Sequence, residues 1–221
     1  MEEAKGLIIT GIVTLLILGG GIFLLSKKND TPVKQTSIDQ SILVRVDSHQ
    51  TNPSAKVTVV EFGDYRCPAC KSAFPTTQQV IKDYGDKINF VFRNYAFLPN
   101  STTDSSSSAS NLAANAVECA SDQNKFWEMH DWFYTNQPQE GDNKIYTIDN
   151  LTKVAGTLGV DQTKFKACLS ANSDDSRVKQ DFADGQVAGV SGTPSFYING
   201  SLLPGVPSYS DFKGILDQLL K

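Results

Sequence analysis

The pattern of apolar and polar positions divides the chain into three stretches. Gly6 to Leu25 (GLIITGIVTLLILGGGIFLL) contains no charged residue. At about 1.5 Å per residue, a helix of that length spans about 30 Å, the depth of a bilayer's hydrocarbon core. The pattern predicts one N-terminal transmembrane helix over 6–25, after a short flank over 1–5. A cleaved signal peptide is the rival, but the run is longer than a usual signal core. The residues that follow it, LLSKKND, also carry no small-x-small cleavage site and no lipobox cysteine. Residues 26–37 are polar and include Pro32, the composition of a solvated linker. A folded domain is expected over 38–221.

Within that domain, Lys56 to Phe62 (KVTVVEF) is rich in β-branched residues and predicts a central buried strand. Phe74, Val80, Ile81 and Tyr84 then form a helical stripe, with Pro75 expected to kink the helix. Lys87 to Phe97 predicts a second strand, which completes a strand–helix–strand unit. The later serines of STTDSSSSAS, Ser105 to Ser108 among them, can form a loop and cap a helix. Ala109, Leu112, Ala113, Ala116, Val117 and Ala120 follow at amphipathic helical spacing. KFWEMHDWFY reads as a continuation of that helix, mostly core. Three further helical segments follow, the second with Asp161 as its expected cap. Ser195 to Asn199 returns to strand character, and Asn199-Gly200 signals a hairpin with SLLPGV as partner. A last helix is expected with Ser210 as N-cap. The order predicts an α/β sheet with a helical insertion over about 101–190.

Composition narrows the function. The net charge is −4, and no basic cluster exceeds Lys27-Lys28, which argues against nucleic-acid binding. With 40% hydrophobic and 20% charged residues, the 221-residue chain is that of an ordinary globular protein. Lys5 on one side of the apolar run and Lys27-Lys28 on the other leave its orientation open.

The chemistry concentrates at Cys67-Pro68-Ala69-Cys70, where the first strand gives way to a helix. A cysteine at a helix N-terminus faces unpaired N–H groups and the positive end of the helix dipole, and both favour thiolate. Pro68 suits the first helical turn, where its missing N–H is not needed. Cys70 lies one turn further along, close enough to close a small disulfide. The pair can exchange disulfides with other proteins, help bind zinc, or staple the fold. For zinc, no second CxxC mirrors the first, and Cys119 and Cys168 stand alone. No bound cofactor is required by these residues. Glu61 is a carboxylate inside an apolar strand, which is unfavourable unless it serves a purpose. His49 precedes the first core strand. His130 lies among helical aromatics as a packed or surface residue, not a catalyst.

VVEFGDYRCPAC, joined to FKACL and VSGTPSFYING, resembles the DsbA family of thioredoxin-fold thiol oxidoreductases, most closely its membrane-tethered bacterial members. The resemblance covers roughly residues 50–221 and implies a thioredoxin fold. It also implies an exposed nucleophile at Cys67, a buried resolving thiol at Cys70 and a cis Pro194 lining the substrate groove beside Thr193. Glu61 matches the family's buried proton-transfer acid, and a structural disulfide between Cys119 and Cys168 is expected, with two free thiols as its rival. Pro68-Ala69 departs from the strongly oxidising members, which often have histidine between the cysteines. The implied activity is introduction of disulfides into reduced or unfolded exported proteins. The implied recharging partner is a quinone-linked membrane enzyme resembling DsbB or a vitamin K epoxide reductase homologue. A reductase or isomerase of the same fold, or a zinc or client-binding module, is the alternative. Two cysteine pairs suit an oxidising compartment, so the expected setting is a single-pass cell-membrane protein, anchored in lipid by residues 6–25, with its catalytic domain outside the cytoplasm.

Overall fold

The computed structural model describes residues 37–98, 109–171 and 175–221. The transmembrane expectation for 6–25 and the serine cap at 105–108 lie outside these residues. Among the described residues, no helix is long and apolar enough to cross a membrane.

Thirteen elements follow in order among the described residues: α1 (Gln40–Leu43), β1 (His49–Gln50), β2 (Val57–Gly63), α2 (Pro68–Tyr84), β3 (Ile88–Asn94), α3 (Ala109–Ser121), α4 (Phe126–Asn136), α5 (Ile148–Thr157), α6 (Gln162–Ala171), α7 (Asp175–Ala188), β4 (Ser195–Ile198), β5 (Ser201–Leu202) and α8 (Tyr209–Leu219). The strands form one sheet in the order β1-β3-β2-β4-β5. β2 and β3 run parallel, as a strand–helix–strand crossover requires, with Val57 opposite Ile88 and Glu61 opposite Phe92. β4 lies antiparallel on the other side of β2. Every residue of β2 and β3 is buried, which is why both read as near-continuous apolar runs.

Each face of the sheet is covered. On one face, Val57, Val59, Phe90 and Phe196 pack against Val80 of α2 and Phe212 and Leu216 of α8. On the other face, Val60, Phe62, Val91 and Tyr197 meet Leu43 of α1 and Ala188 of α7. A third cluster, built on Ala116, Val117, Met129, Phe133, Leu151 and Phe165, is the core of the helical insertion. It extends to Tyr65, Cys67, Cys70 and Phe92, so the CPAC segment sits on the seam between sheet and insertion. Arg93 of β3 is wholly buried. It donates to Asp181 (2.7 Å) and Asp184 (2.5 Å) of α7 and to the carbonyl of Leu43 (2.7 Å).

Three local expectations change. The aromatic run does not continue the preceding helix. Asn124 turns left-handed (φ 59°), the Asn124 N–H reaches the Ser121 carbonyl (2.9 Å), and the Lys125 N–H reaches the Ala120 carbonyl (3.0 Å). These two bonds close α3 as a Schellman motif, with asparagine in the place glycine usually takes, and α4 starts afresh. The last helix is capped by Ser208, not Ser210. Ser208 and Asp211 satisfy each other's backbone in a capping box that Ser210 cannot make two residues later. The elements α1 and β1 have no counterpart in the sequence pattern. Asp161 does cap α6, accepting from the Thr163 and Lys164 amides. The hairpin turns on Asn199-Gly200, both with positive φ (46° and 85°).

Candidate active site

β2 ends at Gly63, and four residues, Asp64 to Cys67, carry the chain into α2. Asp64 fastens this link. Its buried carboxylate accepts from the amides of Arg66 (2.8 Å), Phe97 (2.9 Å) and Leu98 (3.0 Å), while burial raises its pKa against the pull of those bonds. Gln137, just past α4, donates its side-chain amide to the carbonyls of Tyr65 (2.8 Å) and Cys67 (3.1 Å). Tyr146 also donates to the Tyr65 carbonyl (3.1 Å), and Lys71 returns from α2 to the Gln137 carbonyl (2.6 Å). The insertion therefore holds the backbone of the CPAC loop in place.

Cys67 is the N-cap of α2, with Pro68 at its start and exposed and Ala69 half-buried. The two sulfurs live in different surroundings. The Cys70 thiol, donating to the Cys67 sulfur, is the main influence lowering the Cys67 pKa to about 6. The Thr193 side chain and the backbone amides of Cys70 and Ala69 also lower it, and burial opposes them. Cys70 is completely buried, and burial pushes its pKa well above 9, with Cys67 and Glu61 adding to the shift. The exposed nucleophile expected at Cys67 is corrected: it is 6% exposed, because the loop before β4 covers it. Its thiol lies 3.2 Å from the Thr193 carbonyl, to which it donates, and the Thr193-Pro194 bond is cis. Pro194 is buried, and the Thr193 hydroxyl is buried with no other hydrogen-bond partner.

Glu61 lies in the middle of β2, 2% exposed, on the face that α2 covers. Burial, and then the negative charge at Cys67, raise its pKa to about 8. A carboxyl balanced near neutral pH can take or give a proton at an adjacent thiol. Cys119 of α3 and Cys168 of α6 form a disulfide with Cα atoms 5.9 Å apart. Neither can therefore complete a four-sulfur zinc site with Cys67 and Cys70. His130 is buried against Phe92 (4.6 Å between rings), and burial lowers its pKa. His49 stacks on Phe126 and bonds Glu118 (3.0 Å), away from the cysteines. Asp64, Gln137 and Tyr146 carry no mark in the sequence. Their hydrogen-bonding partners lie up to 81 residues away.

The chain matches the thioredoxin family over residues 45–218. The probable disulfide bond formation protein D of Bacillus cereus is 33% identical over 174 residues, 76% of either chain. The Na(+)/H(+) antiporter NhaA 3 of Salinispora tropica is 35% identical over 163 residues, or 72% of this chain, yet the chain spans only 23% of that antiporter's length. The solved structure of oxidised BdbD from Bacillus subtilis superposes with a TM-score of 0.64 at 28% identity, over 76% of this chain and 89% of that one. With two unlike cysteines at a helix start, faced by a cis proline loop and backed by a buried carboxyl, the chain belongs to the thioredoxin family, among its DsbA-like thiol:disulfide oxidoreductases.

Proposed function

We propose that the protein donates disulfides to exported proteins through Cys67 and Cys70. The observation that carries this reading is the difference between the two thiols. One has its pKa lowered to about 6 at a helix start, and the other is buried with its pKa raised. At pH 7 a thiol of pKa about 6 is about nine-tenths thiolate, a good leaving group. A client thiolate attacks the Cys67 sulfur of the oxidised pair. The Cys67–Cys70 bond breaks, and Cys70 leaves as a thiolate that takes a proton from Glu61. The client's second thiolate then attacks the client sulfur of the mixed disulfide and releases Cys67. Two electrons pass from the client dithiol to the enzyme disulfide. Pro194 and Thr193 line the groove where the client's backbone lies.

The setting belongs to the same proposal. Residues 6–25 anchor the chain in lipid as a single span, with the domain on the extracytoplasmic side. A quinone-linked membrane enzyme resembling DsbB or a vitamin K epoxide reductase homologue takes the electrons away. Pro68-Ala69 between the cysteines favours one second reading, the same exchange run as a reductase.

Equilibrating the full-length chain in glutathione buffers, with trapped thiols read by mass, separates the two. A reduction potential near about −120 mV marks a disulfide donor, and one near about −270 mV marks a reductase. Cys67→Ser is expected to abolish turnover in either direction. Stoichiometric zinc on the purified reduced protein would overturn both readings.

A further inference from the structure

Around Cys70 and the end of β2 the fold leaves several buried polar atoms unpaired. Tyr134 Oη, Tyr65 Oη and His130 Nε2 are buried with no hydrogen-bond partner. The Glu61 carboxyl is shifted only by burial and by Cys67, with no hydrogen bond to hold its charge. Leaving a buried hydroxyl unpaired is destabilising, and each such exception calls for a reason.

Tyr134 is the one whose hydroxyl enters beside the strand that carries Glu61, within the buried cluster that holds Cys70. Its hydroxyl stands over Gly63. A Cβ at that position would lie 2.8 Å from the hydroxyl and 2.6 Å from the Phe92 ring. Strand alternation puts Gly63 and Glu61 on one face of β2, the face shared by Phe92 opposite Glu61. Cys70, Phe92 and Tyr134 belong to one buried cluster, and the Tyr134 ring packs 5.4 Å from Phe74 of α2. The central strand thus has no side chain at the one point where this hydroxyl enters. Burial holds the Tyr134 pKa well above 10, with Cys70 and Glu61 next in effect, followed by Tyr65 and Asp64, so the group remains a donor. The charge at Cys67, at the start of α2, also acts on Glu61. The remaining ionisable neighbours in this box are His130, next to Asp131, and Glu118 and Asp181, whose charges act on Tyr65.

We propose that Tyr134 is a positioning residue for proton transfer between Cys70 and Glu61, its hydroxyl, unpaired in this structure, moving into donating distance of whichever of the two is ionised. The inference rests on the exchange reaction proposed above. When the reduced pair is recharged, Cys67 first forms a mixed disulfide with the oxidant. Cys70 Sγ–H passes its proton to Glu61, and the new thiolate takes the Tyr134 hydrogen bond. The thiolate then attacks the Cys67 sulfur. The Cys67–Cys70 bond forms, and the oxidant's sulfur leaves as a thiolate that is protonated from solvent. In donation to a client the same proton returns from Glu61 to Cys70.

The test uses the reduced full-length chain and glutathione disulfide, with acid-quenched samples read by mass from pH 5.5 to 9.5. Capture of glutathione at Cys67 reports the first step, and closure of Cys67–Cys70 reports the second. Tyr134→Phe keeps the ring and removes only the hydroxyl. It is expected to leave capture unchanged, to slow closure about tenfold at pH 7, and to move the rising limb of closure up by about one pH unit. The two curves should merge above that limb. A curve that superimposes on the wild type, or lies below it by one factor at every pH, overturns the role of Tyr134. Should Tyr134→Phe not fold, difluorotyrosine placed at 134, a stronger donor, is expected to shift the limb downward, and no shift overturns the role. If the wild-type chain captures glutathione but never closes Cys67–Cys70, the exchange reaction itself fails, a result distinct from either.

Discussion

Glu61 sits where strand energetics disfavour a carboxyl, and that makes its titration a stability effect. In the folded reduced chain it keeps its proton up to about 8, whereas its unperturbed value is 4.5. Between those pH values the folded state binds more protons than the unfolded one, so stability falls as pH rises. Cys67 works in the opposite sense. Its folded pKa of about 6, against an ordinary 9.0, adds stability that is full above 9.0 and fades as pH falls through about 6. Glu61→Gln should therefore stabilise the reduced protein by a margin that is small near pH 4.5, grows to pH 8 and then levels, on the order of 1–4 kcal/mol. Urea unfolding of both proteins at pH 5 and pH 8.5 measures it, and an equal gain at both values would contradict the assigned titration. Glu61, Cys67 and Cys70 were legible in the sequence because each declares itself locally, as a charge within an apolar strand or as a spaced pair at a strand end. Gln137 and Tyr134 were not. The first meets the Tyr65 and Cys67 carbonyls across 72 and 70 residues, and the second passes for one more core aromatic in a run of them.

At the scale of elements, hydrophobic period identified the long pieces and polar contacts decided how they end and join. The predicted strand over Lys56 to Phe62 and the helix from Ala109 appear within a residue or so, as Val57–Gly63 and Ala109–Ser121. The two-residue β1 and four-residue α1 are too short to show a period, and both depend on neighbours supplied by β3 and α7. The break at Asn124 falls within five polar residues, Ser121 to Lys125, which the solvent face of one continuous helix could carry equally well, and only the backbone hydrogen bonds decide that the helix ends there. Arg93 shows how strongly such polar joints act. Its buried guanidinium holds α7 to the sheet through Asp181 and Asp184 and α1 through the Leu43 carbonyl. Removing one partner of a buried ion pair leaves the others uncompensated. Arg93→Met is expected to lose about 3–5 kcal/mol in urea unfolding, and a loss under about 1 kcal/mol would show that α7 is held by apolar packing alone.

Over the whole molecule, the sheet supplies the chemistry and the insertion supplies the frame that aims it. The Cys119–Cys168 bridge links α3 to α6 across 49 residues of sequence, inside the insertion. A closed loop of that length stabilises by about 4 kcal/mol in the chain-entropy model. Replacing both cysteines by alanine should lower the unfolding free energy by up to that amount. The Cys67–Cys70 potential should stay unchanged, because among the described residues the hydrogen bonds of those cysteines are made with α2, Asp64, the Thr193 loop and Gln137, none of them in α3 or α6. A shifted potential would mean that the bridge tunes the site. The Gln137 brace has the opposite character. It ties the carbonyl backbone on either side of Arg66 to the end of α4, so that the insertion and the dithiol are two ends of one thermodynamic balance. Whatever binds the insertion and pulls on Gln137 changes the energy of closing the disulfide. Closing the disulfide then changes the grip on that ligand by the same factor, so a client's release would be set by the very oxidation state it has just altered.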